Sequence, residues 1–94
     1  MTTLTRDMGM THGDFFRTFP AVAGESSWRV DRDIITLQQP RGPLTIRLGP
    51  QGERRIAGLS LPTTVLEFEF PDYSPAEVEA FMTRFDQSFR RGGG

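Results

Sequence analysis

The segment from Tyr73 to Gly92, YSPAEVEAFMTRFDQSFRRG, restricts the fold of this chain more than any other stretch. Ser74 and Glu77 stand three residues apart with Pro75 between them, the spacing at which a serine hydroxyl and a glutamate close the first turn of a helix reciprocally. Tyr73 and Val78 occupy the positions of a hydrophobic staple over that turn. Val78, Phe81, Met82, Phe85 and Phe89 then recur at spacings of three and four, which puts them on one face of an α-helix. Glu77 and Glu79 early and Arg84, Arg90 and Arg91 late suit the helix dipole, and Gly92 is a residue that readily ends a helix. A stripe carrying three phenylalanines is a liability in water, so the rest of the chain must offer an apolar surface to receive it.

Residues 27–70 supply that surface through a change of period. Trp28 and Val30 alternate with Arg29 and Asp31, and after Arg32-Asp33 the alternation resumes with Ile35 and Leu37. A two-residue turn at Arg32-Asp33 sets Val30 opposite Ile35 and Trp28 opposite Leu37, all on one face. Closing the loop Pro40-Arg41-Gly42-Pro43 brings Leu37 opposite Ile46 in a third strand whose inward residues are Leu44, Ile46 and Leu48. Gly49-Pro50-Gln51-Gly52 reads as the next turn, and RRIAGLSL as a fourth strand with Ala57, Leu59 and Leu61 continuing the apolar side. Pro62-Thr63 reads as a further turn into TVLEFEF, a fifth strand at the sheet edge with Leu66, Phe68 and Phe70 inward. Tight turns leave no room for crossovers, so the strands form an antiparallel meander.

Ahead of the strands, Thr11 and Asp14 make a second, weaker cap, and Phe15, Phe16, Phe19 and Val22 follow at helical spacing until Pro20 and Gly24. This predicts a short helix that breaks or ends near Pro20. The opening MTTLTRDMGM is polar and weakly periodic, which predicts a disordered extension over residues 1–10, with Met10 as an alternative start to Met1. The expected fold is thus α+β: a five-stranded antiparallel meander with a short N-terminal helix and a long C-terminal helix packed on one face. Residues 11–92 form a single domain, and 93–94 a flexible tail.

Composition narrows the function by exclusion. With a net charge of −1 spread along 94 residues, there is no bulk electrostatic attraction for nucleic acid or an anionic membrane. The absence of cysteine removes disulfides, thiolate metal sites and cysteine nucleophiles. No apolar run reaches the roughly 20 residues of a membrane span, and the start lacks a secretory pattern, so a soluble cytoplasmic protein is expected. His12 is the single histidine, which rules out a histidine pair or triad within one chain; its expected place is an exposed first helical turn. Neither a GxGxxG nor a Walker-type phosphate loop is present, and no cofactor or catalytic residue is expected.

The outer sheet face is expected to carry Arg29, Thr36, Gln38, Thr45, Arg47, Gly58, Ser60, Glu67 and Glu69, with Ile34, Ile56 and Val65 as apolar exceptions. Of these, Arg47, Ile56, Val65, Glu67 and Glu69 are the candidate interaction surface. Glu67 and Glu69 share a strand face as two catalytic acids would, but a flat outer face shifts neither pKa, and solvated charges opposing Arg47 and Arg54 are the simpler reading. All eleven basic residues are arginine, and Arg54-Arg55 and Arg90-Arg91 are the densest basic spots, hence candidate anion contacts.

The ending RRGGG is similar to the RGG or GG tails of ubiquitin-like modifiers and sulfur carriers over Arg91, Gly92 and Gly93. A modifier or carrier role is what that resemblance implies; here a helix leads into the tail, where those families have a strand, and a third glycine follows. The leading expectation is a non-enzymatic protein-binding or assembly module, self-associating as a homodimer. The alternative is a small apolar-ligand binder or minor enzyme with a pocket between helices and sheet, walled by Phe15, Phe16, Phe19, Trp28, Phe68 and Phe85.

Overall fold

The computed structural model describes residues 1–92. In chain order the elements are β1 (Thr2–Met8), α1 (His12–Ala23), β2 (Trp28–Asp31), β3 (Ile34–Gln39), β4 (Gly42–Leu48), β5 (Gly52–Ile56), β6 (Leu59–Phe70) and α2 (Pro75–Gly92). The strands form one antiparallel sheet in the order β1-β6-β4-β3-β2, with β5 paired to β6. Phe15, Phe19 and Val22 of α1 and Val78, Phe81, Met82, Phe85 and Phe89 of α2 share one core with Ile35, Leu37, Leu44, Ile46, Leu66, Phe68 and Phe70. Those strand residues alternate along their strands, so both helices cover the same sheet face.

Each helix starts as its residues dictate. In α2 the Ser74 backbone N–H donates to Glu77 Oε1 at 2.7 Å and the Glu77 N–H donates to Ser74 Oγ at 3.2 Å. In α1 the Asp14 N–H donates to Thr11 Oγ1 at 3.0 Å and the Thr11 N–H returns to Asp14 Oδ2 at 3.3 Å. These amide contacts hold both carboxylates below their ordinary range: the Thr11 amide leads for Asp14, and the Ser74 amide for Glu77. Contrary to expectation, α1 does not end at Pro20. The proline removes one donor, yet the helix runs on to Ala23 because Val22 and Ala23 are buried in the core, and the Gly24 N–H closes on Pro20 O at 3.0 Å. Gly24 then leaves the helix at φ 58°.

The β2–β3 hairpin has the expected register, Val30 opposite Ile35 and Trp28 opposite Leu37, with Arg32 at φ 58° in the turn. The next hairpin is tighter than expected. Gln39 pairs with Gly42 across Pro40-Arg41, so Leu37 faces Leu44 and Ile35 faces Ile46. The shift is by two residues, which keeps the buried face buried.

Two larger corrections concern the sheet order. Residues 2–8, read from the sequence as a disordered extension, are β1, paired with β6 without interruption from Thr2 against Phe70 to Met8 against Thr64. Thr2, Leu4, Arg6 and Met8 turn inward while Thr3, Thr5 and Asp7 are exposed, the alternation of a strand with one wet face. The strand containing TVLEFEF is therefore interior, whereas the sequence pattern places it at the sheet edge.

The second correction is at Gly49-Pro50-Gln51-Gly52 and Pro62-Thr63, neither of which is a turn. Leu48 faces Leu66 and Gly52 faces Thr63, so Gly49, Pro50 and Gln51 stand against only Thr64 and Val65. This is a β-bulge that lets β4 run on into β5. Pro62 lies within β6, opposite Glu53. The reversal falls instead at Ala57-Gly58, with φ 51° and 81°, the doubly left-handed conformation of a two-residue hairpin turn. At twelve residues, β6 is about 40 Å long and sets the 44 Å axis of a molecule 25 by 23 Å across.

Candidate interaction surface

Beyond the bulge, β5 and the first half of β6 leave the body as a two-stranded arm. Residues 51–61 are all exposed. On one side of the arm lie Glu53 and Arg55, 3.4 Å apart, with Ser60 and Pro62 opposite them. On the other lie Arg54, Ile56, Leu59 and Leu61, continued down β6 by Val65, Glu67 and Glu69. Leu59 and Leu61 thus point to the opposite side from the one their sequence pattern suggested. Leu59 is 65% exposed, Ile56 51%, Val65 49% and Leu61 44%.

The cause is the bulge. One extra residue on the β4–β5 side and the absence of a turn at Pro62-Thr63 give β6 a single parity from end to end, so odd-numbered positions face out throughout. All five residues of the candidate surface share that outer face. Arg47 Nε lies 3.8 Å from Glu67 Oε1, its direct cross-strand neighbour. Glu69 stands between Thr45 and Thr3. Leu59 and Leu61 are the residues that sequence reasoning missed; Ala-Gly in place of Asn-Gly or Asp-Gly was the turn signal, and it is a weak one.

The root of the arm is fixed to the body. The Gly49 N–H donates to Val65 O at 2.8 Å, and a Cβ on Gly49 would meet that carbonyl at 3.0 Å, a tight contact that favours glycine in the bulge. His12 is half-buried and works in this joint, where an exposed residue was expected. Its Nε2–H donates to Gly49 O at 2.8 Å and its backbone N–H to Gln51 Oε1 at 2.9 Å. Thr64, the one buried polar side chain among the described residues, donates from Oγ1 to Met10 O at 2.9 Å. The start of α1 and the link from β1 therefore clamp the bulge from two sides.

Of the anion candidates, Arg54 and Arg55 do not converge. Arg54 and Arg55 point to opposite sides of β5, Arg54 to Asp7 at 2.5 Å and Arg55 to Glu53. Arg90 is exposed on α2, and the Arg91 side chain and the last two glycines of RRGGG lie outside what the structure describes. The rings named as pocket walls pack on one another. Trp28 meets Phe19 at 4.9 Å, Phe19 meets Phe15 at 5.3 Å, and Phe89 and Phe85 carry the chain of contacts on to Phe68.

Among the described residues no cluster of histidine and carboxylate side chains is arranged to hold a metal, and no helix is long and apolar enough to cross a membrane. In comparison with known proteins, the chain matches no family model, no curated protein and no solved structure.

Proposed function

We propose that this chain is a non-enzymatic protein-binding or assembly module whose contact surface is the outer face of the arm and of β6 at its root. One observation carries the reading: Ile56, Leu59, Leu61 and Val65 align on a single face and all stand in water. A two-stranded ribbon is marginal in water by itself, and one whose apolar side is turned away from its own core gains stability when another surface covers it. Arg47, Glu67 and Glu69 beside the stripe supply a polar rim of mixed sign, the usual border of a protein contact. The carboxylates Asp7, Asp14, Glu53, Glu67, Glu77 and Asp86 are each held by an arginine, which favours a structural use over acid–base work. A cytoplasmic setting belongs to the same proposal, since a chain without cysteine needs no oxidising compartment.

Affinity capture from the native host with the wild-type chain and with the Leu59→Ser/Leu61→Ser variant tests this. The expected result is a protein retained by the wild type and lost with the variant. An identical captured set would remove the arm from the binding surface.

A further inference from the structure

We infer that β1 is the seam of a two-fold homodimer, in which the free edge of β1 pairs antiparallel with β1 of a second copy and joins the two sheets into one. The surface is distinct from the arm, and the inference stands without the arm's partner.

Leaving the arm aside, the two edges of the sheet are unlike. At one end β2 offers only four residues, with Arg29 and Asp31 exposed on it. At the other, β1 offers seven residues in unbroken register with β6, with no proline, glycine or bulge to blunt it. Its two charges are drawn onto their own chain. Arg6 reaches across to α2, with Nη2 3.2 Å from Asp86 Oδ2 and Nε 3.4 Å from Oδ1. Asp7 is held by Arg54 of the arm. The other five side chains are three threonines, Leu4 and Met8. One further contact reaches the strand backbone, from Arg6 Nη1 to Thr5 O at 3.5 Å, and it is exposed and long enough for an incoming amide to replace.

A second copy fits this edge in one register. A two-fold axis normal to the sheet keeps inward residues opposite inward ones, so each residue must meet a position of its own parity. Centring the axis on Thr5 pairs all seven residues: Thr5 with Thr5, Thr3 with the partner's Asp7, Leu4 with the partner's Arg6, and Thr2 with the partner's Met8. Centring it on Arg6 would set like charges face to face, and centring it on Leu4 would pair only Thr2–Arg6 and leave Asp7 and Met8 beyond the partner strand.

The Thr5 register also accounts for the groove beside β1. This is an open groove of about 490 Å³ with Leu4, Val78 and Met82 as its floor, Glu79, Thr83 and Asp86 of α2 as one rim, and the chain's own Arg6 beside Asp86. Bringing the partner's Arg6 opposite Leu4 lays its aliphatic stem over this floor and its guanidinium toward exposed Glu79. By symmetry each Arg6 then lies between its own Asp86 and the partner's Glu79, a charge complementarity the monomer holds in two separate halves. The same axis leaves both outer faces on one side of the joined sheet, with an arm at each end.

Thr5 is exposed and contributes nothing to the core, so substitutions there test the seam without touching the core, and Thr5→Lys also suits Glu67 opposite it on β6. Sedimentation velocity is expected to give a dimer for the wild type and monomers for Thr5→Lys and for Thr5→Glu, each of which sets like charges on the axis. Mixing the two variants should restore a one-to-one dimer. In a chain with no other cysteine, Thr5→Cys should oxidise to a covalent dimer, because opposed antiparallel residues lie within disulfide reach. The Leu59→Ser/Leu61→Ser variant should stay dimeric, which separates the seam from the arm. A wild-type chain that remains monomeric at millimolar concentration, or a dimer untouched by Thr5→Lys, would overturn the proposal.

Discussion

The two halves of β6 are built from the same alternation and live under different conditions. Thr64–Phe70 runs with β1 on one side and β4 on the other, and its inward residues Leu66, Phe68 and Phe70 are fully buried under α2. Leu59–Thr63 pairs with β5 alone, and its leucines face water. An apolar residue in a strand therefore does one of two jobs here, decided by whether a helix lies over its side of the sheet. The pattern in the sequence is the same for both, and the bulge at Gly49-Pro50-Gln51 is where the regime changes.

The strongest way to probe the body half is to remove what covers it. Phe85 is fully buried and its ring lies 5.0 Å from that of Phe68, so Phe85→Ala should lose about 3–5 kcal/mol in chemical denaturation. A loss below about 1 kcal/mol would mean that α2 does not seal the sheet. Next in size is β1. A chain beginning at Met10 would uncover one flank of Thr64–Phe70 and the half-buried Leu4 and Met8, and should be destabilised by about 2–4 kcal/mol relative to the full chain. Equal stability of the two would restore the reading of residues 1–10 as a disordered extension.

A smaller, pH-dependent effect comes from the cap of α2. Glu77 titrates below its ordinary 4.5 because the Ser74 amide, then the Ser74 side chain and Arg41, favour its charged form. A carboxylate with a lowered folded-state pKa stabilises fully above its unfolded value and loses that contribution as pH falls through the folded one. The melting temperature of Glu77→Gln should therefore lie below that of the wild type at neutral pH, with the gap closing as pH drops below about 4. A gap that persists in acid would assign the effect to something other than the charge. Smallest of all, Leu59→Ser/Leu61→Ser should change stability by no more than about 0.5 kcal/mol, since neither side chain is covered by its own chain.

Much of the body was legible because local signals and tertiary demand agree there. Both capping boxes, the five-residue stripe of α2, the Arg32-Asp33 hairpin and the α+β class follow from residue type and spacing alone. What escaped has physical reasons. The threonine-rich β1 carries too little apolar character to announce itself, and it is held by the length of β6 beside it. Pro20 breaks an isolated helix but not one whose last turn is pinned by Val22 and Ala23. Gly-Pro-Gln-Gly has turn composition, yet the chain uses it for a bulge, held by His12 at the start of α1 and flanked by Thr64 of β6, which is tied to Met10 in the link from β1. That single misreading reversed the parity of Leu59 and Leu61, so the candidate surface included Ile56, Val65, Arg47, Glu67 and Glu69 and omitted the two most informative leucines.

Residue-resolved hydrogen exchange along β6 tests the division of that strand most directly. Amides within Thr64–Phe70 should exchange only through opening of the whole body, and those within Leu59–Thr63 orders of magnitude faster through opening of the arm alone. Uniform protection from Leu59 to Phe70 in the free protein would contradict the account, because it would mean that the arm is already packed and its apolar face is not available to a partner.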